Sequence, residues 1–438
     1  MKRSLLLIVI SLAFSRAAWN QSLLTVEEAI ANALKNNFEI RLAKNDSAAA
    51  ALDYQFRNAA MLPRLSANAG LTLNNNDQYQ KFTDGAIRQR KGIRSENLTT
   101  SVSLNWTLFN GGRLYATRDR LTALLEVSKL DVKTNIINTV AQVINGYYAI
   151  VQQKQQLRAI EEQLNINNER VRLAEYKLTI GVGTKPDVLQ SKVDLNATKA
   201  AQLQQQTNIA LLKEQLNTIM GLGTGQTYEV TDSIPFLERI ALQEARQTMI
   251  GSNPSLLLAI KQIDVARYQL REAKAERWPQ LNLTTNYNFN RLDNIAVVNP
   301  FQPLFSRNNG LNMGISTSIP LFNQFTAKRT IRAATLSLQN RQLVFDQQRN
   351  QVDLQLVQAY NEYAAQQKAL ALEEENIALA KENVDIVLEV YRLNATTLLQ
   401  LKEAQKSLQD AQTRLIQARF LTKRAETELL RIKGDLLR

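Results

Sequence analysis

The chain has 438 residues, 45% of them hydrophobic, enough apolar content to fold and too much for a disordered chain. Histidine and cysteine are both absent, which removes the commonest general base, the commonest transition-metal ligand, any thiolate nucleophile and any disulfide, so no catalytic, cofactor or metal site is expected. The net charge is +13, but Lys and Arg are interspersed with Glu and Asp apart from one cluster at Arg88, Arg90, Lys91 and Arg94, the pattern of a solvated basic surface, and no nucleic-acid partner is expected.

Residues 1–17 carry Lys2 and Arg3, an apolar run from Leu5 to Ile10, and Ser15 and Ala17 at the −3 and −1 spacing of a signal-peptidase site. They read as a secretory signal cut after Ala17, because an apolar run of about 11 residues is too short to span a bilayer. Removing Lys2, Arg3 and Arg16 lowers the net charge from +13 to +10 (13 − 3). With no cysteine to acylate, any membrane attachment must come from the fold itself.

A short helix over about 38–60 ends just before Pro63. Two strands follow, at about 65–74 and 98–108, each alternating apolar and polar residues with period two. Leu65, Ala67, Ala69, Leu71 and Leu73 oppose Ser66, Asn68, Gly70, Thr72 and Asn74; Leu98, Thr100, Val102, Leu104, Trp106 and Leu108 oppose Thr99, Ser101, Ser103, Asn105 and Thr107. After Asn110-Gly111-Gly112 the pattern becomes helical to about residue 180, without a proline, with apolar residues every seventh position at Ile150, Leu157, Leu164, Val171 and Leu178. A strict seven-residue repeat means left-handed coiled-coil packing. The helix breaks at Gly181-Val182-Gly183-Thr184, Pro186 follows, and a returning helix runs over about 185–220.

The same order then recurs. At an offset of 216, Asn37 matches Asn253, Pro63 matches Pro279 and Leu65 matches Leu281; at 213, Leu108-Phe109-Asn110 matches Leu321-Phe322-Asn323 and Gly221 matches Gly434. A duplication of this kind sets the architecture. The repeats span about 25–221 and 241–434, joined by a linker at 222–240. The second contains a helix over 254–277, strands at about 281–292 and 311–320, a long helix over about 324–392 with heptads at Tyr363, Leu370, Ile377, Val384 and Tyr391, a turn at Asn394-Ala395-Thr396-Thr397 and a returning helix. The strand connections, 75–97 and 293–310, are expected to be irregular and to face outward.

Each strand has about the length a tilted transmembrane strand needs, and its polar face is Asn, Ser, Thr and Gly with almost no charge, as in a lumen wall. A half-buried soluble sheet would alternate too. Four strands cannot close a barrel or hide their edges in lipid, so copies must pool strands, and three would give twelve. A secreted or periplasmic structural coiled coil is the alternative; it would share the heptads but not the duplicated strand pairs.

With "LTVEEAIANALKNN" near the mature N-terminus, "MLPRLSA" and "RWPQLNL" before the first strand of each half, "LFNGG" and "LFNQF" after the second, and "GVGTKPDVLQSKVDL" at the helix turn, the chain resembles the TolC-type outer-membrane efflux family over essentially residues 18–438. The resemblance implies a mainly α fold with membrane β-strands. On that resemblance three protomers would form a twelve-stranded barrel in the outer membrane of a Gram-negative bacterium, surrounded by its lipid and continued by a coiled-coil α-helical tunnel in the periplasm. It implies a passive exit duct, a homotrimer, for efflux or type I secretion, coupled through a periplasmic adaptor protein to an inner-membrane transporter of RND or ABC type. Asn110, Gly111, Gly112 and Asn323 would form the junction of barrel and tunnel. Gly181, Gly183, Thr184, Asn394 and Thr397 would be the turns that dock the adaptor. Asp187, Tyr391, Thr396, Gln400 and Glu403 fall at the family's periplasmic gate. There Thr396 replaces an arginine, while Gln400 and Glu403 replace aspartates. A Tyr391 hydroxyl bond to Asp187 is the expected restraint; Asp187 also reads as an acid favourably placed at a helix start.

Overall fold

The computed structural model describes residues 23–236, 241–393 and 395–436; the expected signal segment and Asn394 lie outside the described residues. In chain order the elements are β1 Leu23–Leu24, α1 Val26–Asn36, α2 Phe38–Gln55, β2 Arg64–Lys81, β3 Ile87–Asn110, α3 Arg113–Thr179 and α4 Lys185–Met220, then β4 Glu229–Val230, α5 Leu242–Ser252, α6 Pro254–Ala275, β5 Gln280–Asn294, β6 Phe305–Ser318, α7 Thr326–Arg392 and α8 Leu398–Lys433. None of the described helices is long and apolar enough to cross a membrane. The described residues divide into two compact units, one drawn from those at 23–47, 128–258 and 346–436 and the other from 48–127 and 259–345.

The first unit is helical and carries two apolar cores, one per repeat. Ala29 and Ala33 of α1 pack with Val143, Tyr147, Ile150 and Val151 of α3 and with Leu216 and Met220 of α4. Ala245 and Met249 of α5 pack with Leu356 and Tyr363 of α7 and with Leu429 and Ile432 of α8. The duplication extends to single hydrogen bonds. Asn37 donates its side-chain amide to the Ile219 carbonyl at 2.8 Å while its Oδ1 accepts from the Ile40 amide at 3.1 Å. Asn253 does the same with the Ile432 carbonyl at 2.9 Å and the Leu256 amide at 3.1 Å. Each asparagine thus caps one helix and satisfies the carbonyl end of another, which would otherwise be orphaned. That end turns at Gly221 and Gly434, both left-handed at φ 69° and 81°.

The returning helices show a seam the long-helix heptads did not announce. In α8 the positions Leu401, Ala404, Leu408, Ala411, Leu415 and Ala418 alternate three- and four-residue steps and are buried or half-buried. Val188, Ser191, Leu195, Thr198, Gln202 and Gln205 do so in α4. On the long helices Ile150, Val171, Tyr363, Val384 and Tyr391 are buried, and Leu157, Leu164, Leu370 and Ile377 half-buried. Leu178, at the turn end, is exposed.

The second unit is built around a four-stranded antiparallel sheet in the order β2-β3-β5-β6. Its strands are longer than the alternation suggests. The segment 75–97 is not irregular: the β2–β3 ladder continues to the Lys81–Ile87 pair and turns at 82–86, where the Phe82 amide donates to the Ala86 carbonyl at 2.9 Å. The second connection shortens to 295–304 because β6 begins at Phe305. Beyond Asn74 the ladder carries only Tyr79, Ile87 and Ile93 as large apolar residues, too few to alternate, so hydrophobic alternation stops where backbone pairing does not.

Candidate functional site

Register aligns the sheet's two faces across all four strands. Leu65, Leu104, Thr285 and Met313 form one row, Ala67, Val102, Tyr287 and Leu311 the next, and Trp106, Leu283 and Ile315 a third. These side chains find no core: Leu65 is 68% exposed, Met313 70% and Ile315 68%. Such an apolar face is solvated by lipid or by another protein surface. The opposite face carries Ser66, Ser103, Asn286 and Asn312 in one row and Asn68, Ser101, Asn288 and Gly310 in the next. It is hydrogen-bonding and uncharged through these rows, as a water-filled pore requires. The outer edges of β2 and β6 pair with nothing among the described residues.

At the strand-to-helix junction Asn110 Oδ1 accepts from the Leu114 amide at 3.2 Å and caps α3. Gly111 and Gly112 are both left-handed, at φ 68° and 83°. A Cβ on Gly111 would stand 2.5 Å from the Ala275 carbonyl and from Trp278 Cβ, so this position needs glycine for conformation and for room. In the second repeat the equivalent pair, Gln324 and Phe325, adopts the same left-handed region at φ 52° and 60° without glycine. Asn323 accepts the Thr326 amide at 2.9 Å through its backbone carbonyl.

At the first helix turn Gly181 is left-handed at φ 79°, and the Val182 and Gly183 amides both return to the Lys177 carbonyl at 3.0 and 2.9 Å. Thr184 caps α4: its hydroxyl donates to Asp187 Oδ2 at 2.7 Å and accepts from the Asp187 amide at 3.4 Å. At the second turn Thr397 and Gln400 form a capping box, with the Gln400 amide donating to Thr397 Oγ1 and the Thr397 amide to Gln400 Oε1, both at 3.3 Å. The Thr396 hydroxyl also meets Gln400 Oε1, and Glu403 is exposed on α8.

The expected bond between Tyr391 and Asp187 is not made. Asp187 spends its carboxylate on the cap of its own helix, and the Tyr391 ring instead carries Lys177, whose Nζ stands 3.8 Å from the ring centroid and donates to the Tyr391 carbonyl at 3.5 Å. Burial, with Asp187 nearby, pushes the Tyr391 hydroxyl up, so it stays protonated.

A charged network two turns deeper carries no local sequence signal. The Arg170 side chain is only 5% exposed and pairs with Asp194 Oδ2 at 2.5 Å. Lys402 of α8 reaches the same oxygen at 3.0 Å, Gln190 donates to Asp194 Oδ1 at 2.9 Å, and Arg170 donates to Gln405 Oε1 at 3.4 Å. Asp194 therefore joins α3 and α4 to α8. Burial opposes its ionisation, but bonds from Lys402 and Gln190 and the Arg170 charge outweigh that and hold its carboxyl below the usual range.

A sheet with an apolar outer face and an uncharged polar inner face, whose strands open directly into long paired helices, defines the protomer of an outer-membrane channel. The model of the outer membrane efflux protein family matches residues 29–222 and 245–435, and the chain belongs to that family. It is 22% identical to outer membrane protein TolC of Escherichia coli K12 over 434 residues, covering 95% of this chain and 83% of that protein. It is 21% identical to alkaline protease secretion protein AprF of Pseudomonas aeruginosa over 416 residues, 91% of this chain and 83% of that one. The crystal structure of outer membrane protein VceC from Vibrio cholerae superposes with a TM-score of 0.77 at 17% identity, covering 93% of this chain and 96% of that one. The chain is accordingly an outer-membrane exit duct with its helical part in the periplasm. The coiled-coil-rod alternative has no place for the four-stranded sheet.

Proposed function

We propose that three copies of this chain join the free edge of β6 to the free edge of a neighbouring β2, closing a twelve-stranded pore that serves as a passive conduit with no catalytic centre of its own. The observation that carries this reading is the pair of open edges, 18 and 14 residues long, on a sheet whose outer face is apolar. In hydrocarbon each unpaired backbone group costs several kcal/mol, and mutual pairing removes that cost. The uncharged inner face supports a duct that discriminates little among cargoes. A periplasmic adaptor meets the turns at 181–184 and 394–397, and an inner-membrane transporter supplies the energy. The closed tip is held by Lys177 on Tyr391 and by the Arg170, Asp194 and Lys402 network. Asp187, Thr396 and Gln400 shape the helix starts beside it, and Glu403 lines the mouth. The test is the mass of the detergent-purified protein by light scattering, together with conductance in planar bilayers. A conducting trimer is expected; a folded, conducting monomer would refute the shared barrel.

A further inference from the structure

The apolar face of the sheet ends at a pair of arginines. Arg291 on β5 and Arg307 on β6 are direct cross-strand partners, so two like charges leave the same face with Cβ atoms about 5 Å apart, an arrangement sheets ordinarily avoid. Each guanidinium stands on an aromatic ring, Arg291 at 5.7 Å from the Phe305 centroid and Arg307 at 5.4 Å from that of Phe289. Only one has a counter-charge: Asp293 accepts from Arg291 Nε at 2.8 Å, whereas Arg307 makes no ion pair among the described residues. Glu96 stands across from Asp293 one row farther on, so the nearest acids lie beyond Arg291 and Arg307 is left with an aromatic contact and no acid within ion-pair distance among the described residues.

Its height on the sheet says what could neutralise it. Ten residues separate Leu281, beside the helix junction, from Arg291 on the same face of β5. At a rise of about 3.3 Å and a tilt of about 40° they span roughly 25 Å along the membrane normal, the height of the apolar band of an outer-membrane barrel. The arginines thus sit at the boundary of hydrocarbon and headgroups farthest from the helices. Because the helical part is periplasmic, that boundary belongs to the outer leaflet.

We propose that Arg291 and Arg307 form a clamp for the phosphate groups of outer-leaflet glycolipid, one clamp per protomer. The two side chains root on one row but lean apart, Arg291 over Phe305 of the next row and Arg307 over Phe289 of the row before, so a phosphate would draw both forks back to the shared row, where each offers charge-assisted, bidentate hydrogen bonds. The clamp rests on the reading of this face as lipid-facing. Arg88 and Arg90, on the hairpin beyond the band, supply equal charge without this register.

The test is native mass spectrometry of the full-length protein in detergent, titrated with bisphosphorylated lipid A, with the same lipid stripped of its phosphates, and with inorganic phosphate as competitor. The Arg291→Gln/Arg307→Gln double variant should bind lipid A about tenfold or more weakly than wild type. The stripped lipid should bind both equally, and Arg88→Gln/Arg90→Gln should bind lipid A like wild type. Arg307→Lys, which keeps the charge and loses the fork, should fall between. Equal lipid A binding by wild type and the clamp variant would overturn the proposal, as would an equal loss in the Arg88 and Arg90 variant. Displacement of the lipid by millimolar inorganic phosphate would do so too, since the site would then be one for free phosphate. Conductance of the clamp variant in neutral phosphatidylcholine bilayers separates this test from the barrel reading: a clamp that fails leaves conductance intact, whereas a wrong barrel assignment abolishes it in wild type as well.

Discussion

Replacing Asp194 by Asn should open the periplasmic end more than replacing Asp187, although the resemblance assigns Asp187, not Asp194, to the gate. Asp194 is 18% exposed and answers both Arg170, 5% exposed, and Lys402, 45% exposed. Removing one member of a buried ion pair costs about 3–5 kcal/mol, because the other charge stays buried without compensation. Here Asn keeps one acceptor and Lys402 can rehydrate, so about 2–3 kcal/mol of tip stability is a fairer figure. Part of that lies within the first helix pair and is unaffected by opening. The part between pairs, Lys402 to Asp194 and the weakened Arg170 to Gln405 bond, is worth about 1–2 kcal/mol, or roughly a 5- to 30-fold rise in the opening equilibrium. Asp187→Asn loses one hydroxyl bond and a helix-start charge worth about 0.3–1 kcal/mol, a factor below about 5. Single-channel open probability in planar bilayers, with vancomycin sensitivity of cells as a second readout, measures both. Should Asp187→Asn equal or exceed Asp194→Asn, the deeper network is not the restraint.

Asp194 has a lowered folded-state pKa, so its contribution is fully present above the unfolded carboxylate value of about 3.9 and is lost only as pH falls through the lowered value. Wild-type open probability should therefore be flat from neutral pH to about 5 and rise below about 4, and Asp194→Asn should abolish that acid limb. Tyr391→Phe keeps the ring under Lys177 and should leave open probability within about twofold of wild type, whereas Tyr391→Leu, which forfeits about 0.5–2 kcal/mol of cation–π attraction, should raise it clearly. Gly111→Ala must find room against two atoms at 2.5 Å in a left-handed backbone and should destabilise by about 2–4 kcal/mol, read as a lower temperature for loss of heat-modifiable gel migration. Gln324→Gly relieves the same backbone strain with no such clash and should raise that temperature slightly; a fall would mean the Gln324 side chain contributes more than its conformation costs.

The repeat, the strand pairs, the helix turns and the sidedness of the sheet could all be read from residues, because each follows from a short-range period or from self-similarity at a fixed offset. What escaped lies at longer range. The β2–β3 ladder beyond Asn74 holds only Tyr79, Ile87 and Ile93 as large apolar residues, too few for a period-two pattern to mark its continuation to Lys81. Arg170 and Asp194 are 24 residues apart on antiparallel helices, and Lys402 is a further 208 away; no periodicity links them. Gln400 is the opposite case. Thr397 followed three residues later by Gln400 is a capping-box pattern, so its local duty was legible even as the resemblance assigned it to the constriction.

The two halves share several backbone devices and part in their charges. Asn37 and Asn253, Gly221 and Gly434, and the left-handed pairs at 111–112 and 324–325 are conformational duplicates. The charged network is not duplicated. At the offset of 213, Arg170 corresponds to Asn383, Asp194 to Ser407, and Lys402 to Leu189. Confining the anion to α4 and the answering lysine to α8 makes the contact between pairs attractive in one register only. The network lies apart from the two apolar cores, so on this reading the closure of the tip can be set by a few partly buried charges without disturbing the packing that holds each half together.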